Sequence, residues 1–345
     1  MTLPTALPEP ILPTLHGGPT LRWGVLAPGS IAGKFTHALH AHTDQRVHAV
    51  GSRSLARAEA FASEHGIDES YASYQELVDD PGIDAVYIAP PHPQHKNLAL
   101  LAIAAGKHVL IEKPIAVTAD EAREIAAAAQ EAGVFAMEAM HTRFHPRMTV
   151  IEQLLRDGVL GEVTSVAAEL GIPSEPDPES RLHSPALAGG AILDVGVYAV
   201  WFNHFVLGKP DSVVARGLLT ETGVDGQSVV TLTRGRALGS VTSSILGWTP
   251  SLASVNGTGG RIHVDTRHPR PGPFTLYGPD DQPHLRFEDT TGIEFHDGLC
   301  RQAAWMAQHV ADGLLESPMH PLSVSIDVLE TIDQVRLQLG TATVA

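Results

Sequence analysis

From Arg22 to Ala139 the sequence alternates short apolar runs with helical patterns, and this alternation restricts the fold more than any other feature. Residues 22–26, 47–51, 85–89, 108–112 and 134–139 read as strands, and 31–40, 54–65, 94–105 and 118–132 between them read as helices. Strands alternating with helices build βαβ units around a parallel sheet. Such strands are buried on both faces, which is why they are apolar throughout rather than at every second position. Ser54 and the Thr118-x-x-Glu121 spacing supply helix starts, and Gly106 and Gly133 supply stops.

After about Phe144 the pattern changes. Residues 163–170, 212–218, 228–233, 238–245 and 252–256 look like successive strands punctuated by Gly or Pro, which predicts a largely antiparallel sheet. Helical patterns near 192–205 and at 301–315 interrupt or close it. A last one runs over 323–339, with Ile326, Leu329, Ile332, Val335 and Leu339 near helical spacing. A chain of 345 residues is long enough for two domains, each with its own core. The expected class is α/β, with three segments. Residues 1–20 form a Pro-rich arm, 21–143 a doubly wound parallel-sheet domain, and 144–345 a second α/β domain with a large, mostly antiparallel open sheet. The arm is expected to be disordered or strapped onto a neighbouring subunit.

Composition excludes several classes. Lys and Arg number 23 and Asp and Glu 39, a formal charge of −16. Phosphate backbones need clustered Lys and Arg, so a nucleic-acid partner is not expected. Cys300 is the only cysteine, so no internal disulfide can form and a reducing compartment suits the chain. No apolar run approaches the ~18 residues that span a bilayer. The N-terminal arm contains no Lys or Arg and does not resemble a secretory signal. A cytoplasmic protein with no membrane partner is expected.

The turn after the first strand is Ala27-Pro28-Gly29-Ser30-Ile31-Ala32. Gly29 at a helix N-terminus lets a pyrophosphate approach the backbone, where amides and the helix dipole favour an anion. Ala27 and Ala32 stand where G-x-G-x-x-G has its outer glycines, so the motif alone also fits an ordinary strand–helix turn. Its place after the first strand of an alternating chain favours a dinucleotide. At the tip of the second strand, Gly51-Ser52-Arg53 is followed by Arg57, with no carboxylate before Glu59. A carboxylate there would bind the ribose of NAD, whereas a hydroxyl and two guanidinium groups suit the 2′-phosphate of NADP. The other reading of Arg53 is a solvated arginine at a helix start. NADP is the expected cofactor, with NAD as the alternative. Ala89, Pro90, His92 and His95 are expected to line the same cleft.

Leu110-Ile111-Glu112-Lys113-Pro114 ends the fourth strand. The carboxyl end of a buried parallel strand is where doubly wound folds bind ligands, which places Glu112 and Lys113 beside the cofactor. Oxidising an alcohol requires a base for the hydroxyl proton while hydride leaves carbon. Tyrosine, with a pKa of ~10, is a poor base at neutral pH unless a cation stabilises its phenolate. Lowering it by ~2 units takes ~2.7 kcal/mol, which a partly buried ammonium can supply. Lys113 is the candidate cation. Tyr198, at the end of the stretch that begins Gly189-Gly190, is the candidate base. Asp194, four residues earlier, would project from the same helix face. The plainer readings are that Asp194 caps a helix and that Tyr198 is a core aromatic.

Several motifs in one order make the chain resemble a known family. They are Arg22 to Gly29, His92-Pro93-Gln94-His95, Glu112-Lys113-Pro114, Glu138 to Phe144, Gly190 to Tyr198, Glu221 to Asp225, and Glu316-Ser317-Pro318. The chain resembles the glucose–fructose oxidoreductase, inositol dehydrogenase and rhizopine-catabolism (Gfo/Idh/MocA) family from Leu21 to Gly340. Within it, the chain looks most like the branch of dimeric dihydrodiol dehydrogenases and NADP-dependent aldose dehydrogenases. The resemblance implies a Rossmann domain and a C-terminal substrate-binding domain whose open sheet commonly forms a subunit interface. A homodimer or higher even oligomer follows. It also implies Lys113 and Tyr198 as the catalytic pair, Asp194 in the substrate pocket, and Arg53 and Arg57 as 2′-phosphate ligands. Many members carry histidine where this chain has Tyr198. His141 stands where near relatives carry tryptophan against the substrate, so substrate identity does not carry over. His141, Arg143 and His183 join Asp194 and Tyr198 as candidates for substrate contact.

His92-x2-His95 and His141-x3-His145 have spacings that can bring two imidazoles together. Neither has a carboxylate or cysteine partner in a metal pattern, and Pro146 disfavours helix at His145, so no metal is expected. The expected activity is NADP-dependent transfer of hydride between the nicotinamide and a hydroxyl carbon of a cyclic sugar, anhydrosugar or trans-diol. One alternative is a sugar-modifying enzyme that holds NAD(P) tightly for redox-assisted glycoside cleavage or dismutation. Another is a non-enzymatic dinucleotide sensor, which would not need the Lys113 and Tyr198 pair.

Overall fold

The computed structural model describes residues 3–265 and 267–341, so Met1 and Thr2 of the arm lie outside it. The chain divides into two compact units. The N-terminal unit comprises Leu12–Phe144 and Ile293–Ile326. The C-terminal unit comprises His145–Gly292 with the described residues before Leu12 and after Ile326.

The N-terminal unit is built on strands β1 (Arg22–Leu26), β2 (Arg46–Gly51), β3 (Glu69–Tyr71), β4 (Ala85–Ile88), β5 (His108–Glu112) and β6 (Ala136–Ala139). They lie in the order β3-β2-β1-β4-β5-β6, and every pairing is parallel. The connecting helices are α1 (Ser30–His42), α2 (Leu55–His65), α3 (Tyr74–Asp79), α4 (His95–Ala104) and α5 (Ala119–Ala132). Residues along β4 and β6 are buried without exception, as two covered faces require. Phe35 of α1 stacks on Tyr87 of β4 with ring centroids 3.9 Å apart. Trp23 Nε1 donates to Gln45 Oε1 at 2.8 Å, which satisfies the indole inside the core. The strand order reverses between β1 and β4, and at such a switch point ligands bind beyond the carboxyl ends of the strands.

The C-terminal unit opens with α6 (Pro146–Arg156) and β7 (Val163–Gly171). His145 is the extended N-cap of α6, as the following proline demands. Next come α7 (Val197–Leu207), β8 (Ser212–Leu219), β9 (Asp225–Arg234), β10 (Ala237–Ser244), β11 (Ala253–Gly257), β12 (Gly260–Val264), β13 (Phe274–Tyr277) and β14 (Pro283–Phe287). The eight strands run β14-β13-β12-β11-β7-β10-β9-β8. Only the β7–β10 pairing is parallel among the described residues. The fold is therefore α/β, with a Rossmann-like parallel sheet and a second, mostly antiparallel one. Helix α7 lies against β7 and β10. Val214, Leu218, Val229 and Leu238, on β8 to β10, are each more than half exposed.

The chain then returns to the N-terminal unit with α8 (Leu299–Ala311), whose Leu299, Cys300, Ala303 and Met306 join its core. The last helix, α9 (Leu322–Leu339), begins in the N-terminal unit and ends among residues of the C-terminal one.

The helix over 301–315, expected to interrupt or close the second sheet, belongs instead to the N-terminal unit. Two further expectations need correction. The described residues of the arm bind their own chain. Within the C-terminal unit, Pro4 O accepts from His284 at 2.6 Å and Ile11 N–H donates to Thr149 Oγ1 at 2.9 Å. Within the N-terminal unit, Leu15 packs on the core and Gly17 N–H donates to Asp44 at 2.6 Å. Second, Pro185–Leu207 is long and apolar enough, by composition, to cross a membrane. It serves here as a core element, 78% of its apolar window being buried inside the protein.

Candidate active site

The parallel sheet brings the predicted cofactor residues to one edge, because each lies at the carboxyl end of a strand or in the turn and first helical residues beyond it. Ala27, after β1, has a left-handed backbone with φ +66°. A glycine would adopt that conformation freely, whereas alanine does so at a cost of roughly 1–2 kcal/mol. Pro28 and Gly29 follow, with Gly29 the extended N-cap of α1, and Ser30 and Ile31 begin the helix. No side chain caps it and no acidic residue lies in its first turn. A Cβ on Gly29 would meet only Ala27 O, at 3.9 Å. The protein's own packing does not require glycine there. The open space at a helix N-terminus instead suits an anion brought from outside.

Beside it lies a cavity of about 550 Å³ lined in part by Gly29, Ser30, Lys34, His37, His65 and His296. Sequence reasoning missed the last four. Their one readable signal is the spacing of Ser30, Lys34 and His37 along one face of α1.

Beyond β2, Ser52 is buried and Arg53 and Arg57 are exposed. Among the described residues neither arginine makes an ion pair. Beyond β4, Ala89 and Pro90 are buried, and the fully buried His95 ring sits between two loops. Its Nδ1 is 2.8 Å from Pro114 O and its Nε2 3.0 Å from Pro90 O. Burial lowers its pKa to about 4. Rather than facing a cleft, this ring braces the ends of β4 and β5. His92 stands edge-on to it, with ring centroids 5.6 Å apart.

At the end of β5, the Glu112 carboxylate accepts from the Tyr87 hydroxyl and, at 3.2 Å, from Lys113 N–H. Burial pushes the Glu112 pKa up to about 7. The Lys113-Pro114 peptide is cis, and the next amide, Ile115 N–H, donates to Glu138 at 3.0 Å. Glu138 also accepts from His320 at 3.0 Å and from the Ser325 hydroxyl at 2.6 Å. Burial raises its pKa, but these donors prevail and hold it below the usual range. Lys113 is thus delivered by a loop anchored on its far side. His141, just after β6, has its pKa lowered to about 3 by burial, with Lys113 and His296 adding to the effect. It is a neutral hydrogen-bonding group. Arg143 is buried and its Nε donates to Met319 O at 2.7 Å, so this side chain is engaged with backbone.

In the C-terminal unit, Asp194 lies within a π turn, Ile192–Gly196, that leads directly into α7. Single π turns inside helices recur at functional sites. Arg181 Nη1 donates to Asp194 Oδ1 at 2.7 Å, a partner that sequence reasoning did not find. Tyr198, in the first turn of α7, is half-buried and packs with Leu170, Val195 and Ile245. His183 is buried in the loop that carries Arg181.

A parallel sheet of this order, with an uncapped glycine turn at its switch point, defines a dinucleotide-binding enzyme. Residues 21–140 match the oxidoreductase family with an NAD-binding Rossmann fold, and 148–263 match the GFO/IDH/MocA C-terminal domain. The chain is 38% identical over 331 residues to trans-1,2-dihydrobenzene-1,2-diol dehydrogenase of Mus musculus and 36% identical over 331 residues to that of Homo sapiens. Each alignment covers 93% of this chain and 97% of the relative. The structure is similar to that of a 3-ketoreductase from Actinomadura kijaniata in complex with NADP and TDP-benzene. The TM-score is 0.77 and the identity 28%, over 93% of this chain and 98% of that one. The chain belongs to the Gfo/Idh/MocA family and is an NAD(P)-dependent oxidoreductase acting on alcohol groups.

Proposed function

We propose that the protein is an NADP-dependent dehydrogenase acting on a hydroxyl carbon of a cyclic sugar, anhydrosugar or trans-diol. The observation that carries the cofactor choice is at the tip of β2, where Arg53 and Arg57 are exposed without an ion-pair partner among the described residues. Two guanidinium groups beside Ser52 suit a 2′-phosphate. The uncapped start of α1 and the open space at Gly29 suit the pyrophosphate. The dihydrodiol dehydrogenases support a substrate with a secondary alcohol on a ring, and the 3-ketoreductase in complex with NADP supports the exchange of alcohol and ketone.

When bound, NADP would supply the hydride acceptor in oxidation and the donor in reduction. Tyr198 takes the hydroxyl proton in oxidation and returns it in reduction, and Lys113 favours the phenolate that makes this feasible at neutral pH. Asp194, oriented by Arg181, accepts a hydrogen bond from a substrate hydroxyl. His141 contributes as a neutral partner. Arg143 and His95 act as braces. We also infer a cytoplasmic homo-oligomer, assembled through the exposed apolar face of β8 to β10.

Incubating the protein with NADP⁺ or NAD⁺ and with D-glucose, levoglucosan or trans-cyclohexane-1,2-diol tests the reading. Stoichiometric NADPH is expected with at least one of them. Conversion of the sugar with no net reduction of cofactor would support the redox-assisted cleavage or dismutation alternative instead.

A further inference from the structure

The π turn that carries Asp194 needs an explanation, because its i→i+5 bonding is rare and is seldom stable by itself. Its start is held by a residue that the proposed chemistry does not use. Asp225, the first residue of β9, is only 2% exposed. Its Oδ2 accepts from Ile192 N–H at 2.7 Å, and the Ala191 amide also donates to the carboxylate. The carboxylate occupies a notch that exists because residue 190 has no side chain. A Cβ on Gly190 would lie 2.2 Å from Asp225 Oδ1, and its φ of +119° already excludes most residues. Gly190 N–H in turn donates to Leu182 O at 2.9 Å, which closes the loop bearing Arg181 and His183 onto the same point.

The other end of the turn is fixed by contact. A Cβ on Gly196 would lie 2.8 Å from Ile192 Cδ1 and 2.9 Å from Ser243 Cβ of β10. The turn is therefore clamped between Asp225 at its start and β10 at its end. Relaxing it to an α turn would change the angle about the helix axis between Asp194 and Tyr198.

We propose that Asp225 is a positioning residue for the reaction: seated on the amides of Ala191 and Ile192, it fixes the π turn and so the orientation of Asp194 and Tyr198. This rests on the proton-transfer reading of Tyr198 given above. Asp225 touches no substrate in this account and acts only through the turn.

A double-mutant cycle on the full chain tests it, with NADP⁺ and trans-cyclohexane-1,2-diol as probes. Asp225→Ala should lower kcat about 10- to 100-fold, the scale expected when a proton-transfer group is misplaced, with NADP affinity unchanged. Asp225→Asn, whose amide oxygen can still accept from one backbone N–H, should recover part of the loss. In a Tyr198→Phe background the Asp225 substitution should cost less than about threefold in kcat, because the proton-transfer group it positions is gone, and what remains through Asp194 falls on KM. Equal losses in the two backgrounds would overturn the inference while leaving Tyr198 as the proton-transfer group. A Tyr198→Phe enzyme with near-normal turnover would overturn the reading of Tyr198 and this inference with it. Should Asp225→Ala fail to fold, the same cycle with Asp225→Asn decides between these outcomes.

Discussion

Arg181 and Asp194 form a 2.7 Å hydrogen-bonded ion pair across 13 residues of chain, joining the loop after β7 to the π turn before α7. The guanidinium is 59% exposed and the carboxylate 10%. The pair therefore orients Asp194 from the solvent side and adds little to stability, since exposed guanidinium groups are well screened. Arg181→Met should raise the substrate KM about two- to fivefold, the worth of such a pair, with kcat and NADP affinity nearly unchanged. Steady-state kinetics check this. A fall in kcat at constant KM would show that Arg181 does not act through substrate placement.

Much of the fold was legible because the signals were local and periodic. Arg22–Leu26 and His108–Glu112 are strands with apolar, buried interiors, and Thr118 caps α5 by accepting from Glu121 N–H at 3.3 Å. Apart from the eleven-residue α6 (Pro146–Arg156), the elements missed were short. β3 spans three residues and α3 six, although Ser73 and Glu76 form a capping box that marks the start of α3. Strands β12 to β14 are four or five residues long among Gly and Pro, too short for alternation to register. Ser54, expected to cap α2 through its hydroxyl, makes no such bond. For the candidate site, the positions of Gly29, Arg53 and Lys113 could be read because each lies just beyond a strand end. Arg181, Asp225 and the π turn could not, because their partners are 13 and 33 residues away and depend on how the loop closes. His95 shows the converse: its position suggested a place in the cofactor cleft, and the fold instead buries the ring with its two nitrogens against backbone carbonyls, one of which the neutral imidazole's single N–H can bind.

The cofactor preference should reside in Arg53. Arg53→Ala is expected to weaken NADP⁺ binding about ten- to a hundredfold, the loss of one charge-assisted contact of ~1.5–3 kcal/mol, and NAD⁺ much less. Titrating both cofactors against both proteins measures it. Equal losses would remove the 2′-phosphate from the account.

Assembly can be checked by light scattering. Val214, Leu218, Val229 and Leu238 are exposed together on β8 to β10, a face that water disfavours. A dimer or higher even oligomer is expected at micromolar concentration, and Val229→Glu should shift it towards monomer. A wild-type monomer would leave that face without the proposed role.

Stability should fall as pH drops below about 6.5. Buried His95 and His204 have pKa values lowered to about 4, and His141 and His268 to about 3, in every case chiefly by burial. Their stabilising contribution is complete above the ordinary histidine pKa and is lost as pH falls from there towards 4 and 3. Glu112 and Asp225, raised to about 7 by burial, act oppositely, losing stability as pH rises towards 7. Four histidines outweigh two acids between pH 5 and 6.5, and near pH 7 the two effects roughly cancel. The melting temperature of the cofactor-free protein should therefore peak near pH 7 and decline towards pH 5. A melting temperature that rises on acidification over this range would contradict the burial of these imidazoles.

The central claim is that Tyr198 transfers the proton. Lys113→Met should be at least as damaging as loss of the tyrosine hydroxyl, because it removes the charge that stabilises the phenolate. The most direct measurement is turnover by Tyr198→Phe, which deletes one oxygen and keeps the ring against Leu170, Val195 and Ile245. NADP binding and folding should survive, and kcat should fall by ~10²–10⁴, the usual worth of a positioned acid–base group. Near-normal kcat with intact NADP binding would contradict the account, and the proton-transfer group would have to be sought at His141 or His183.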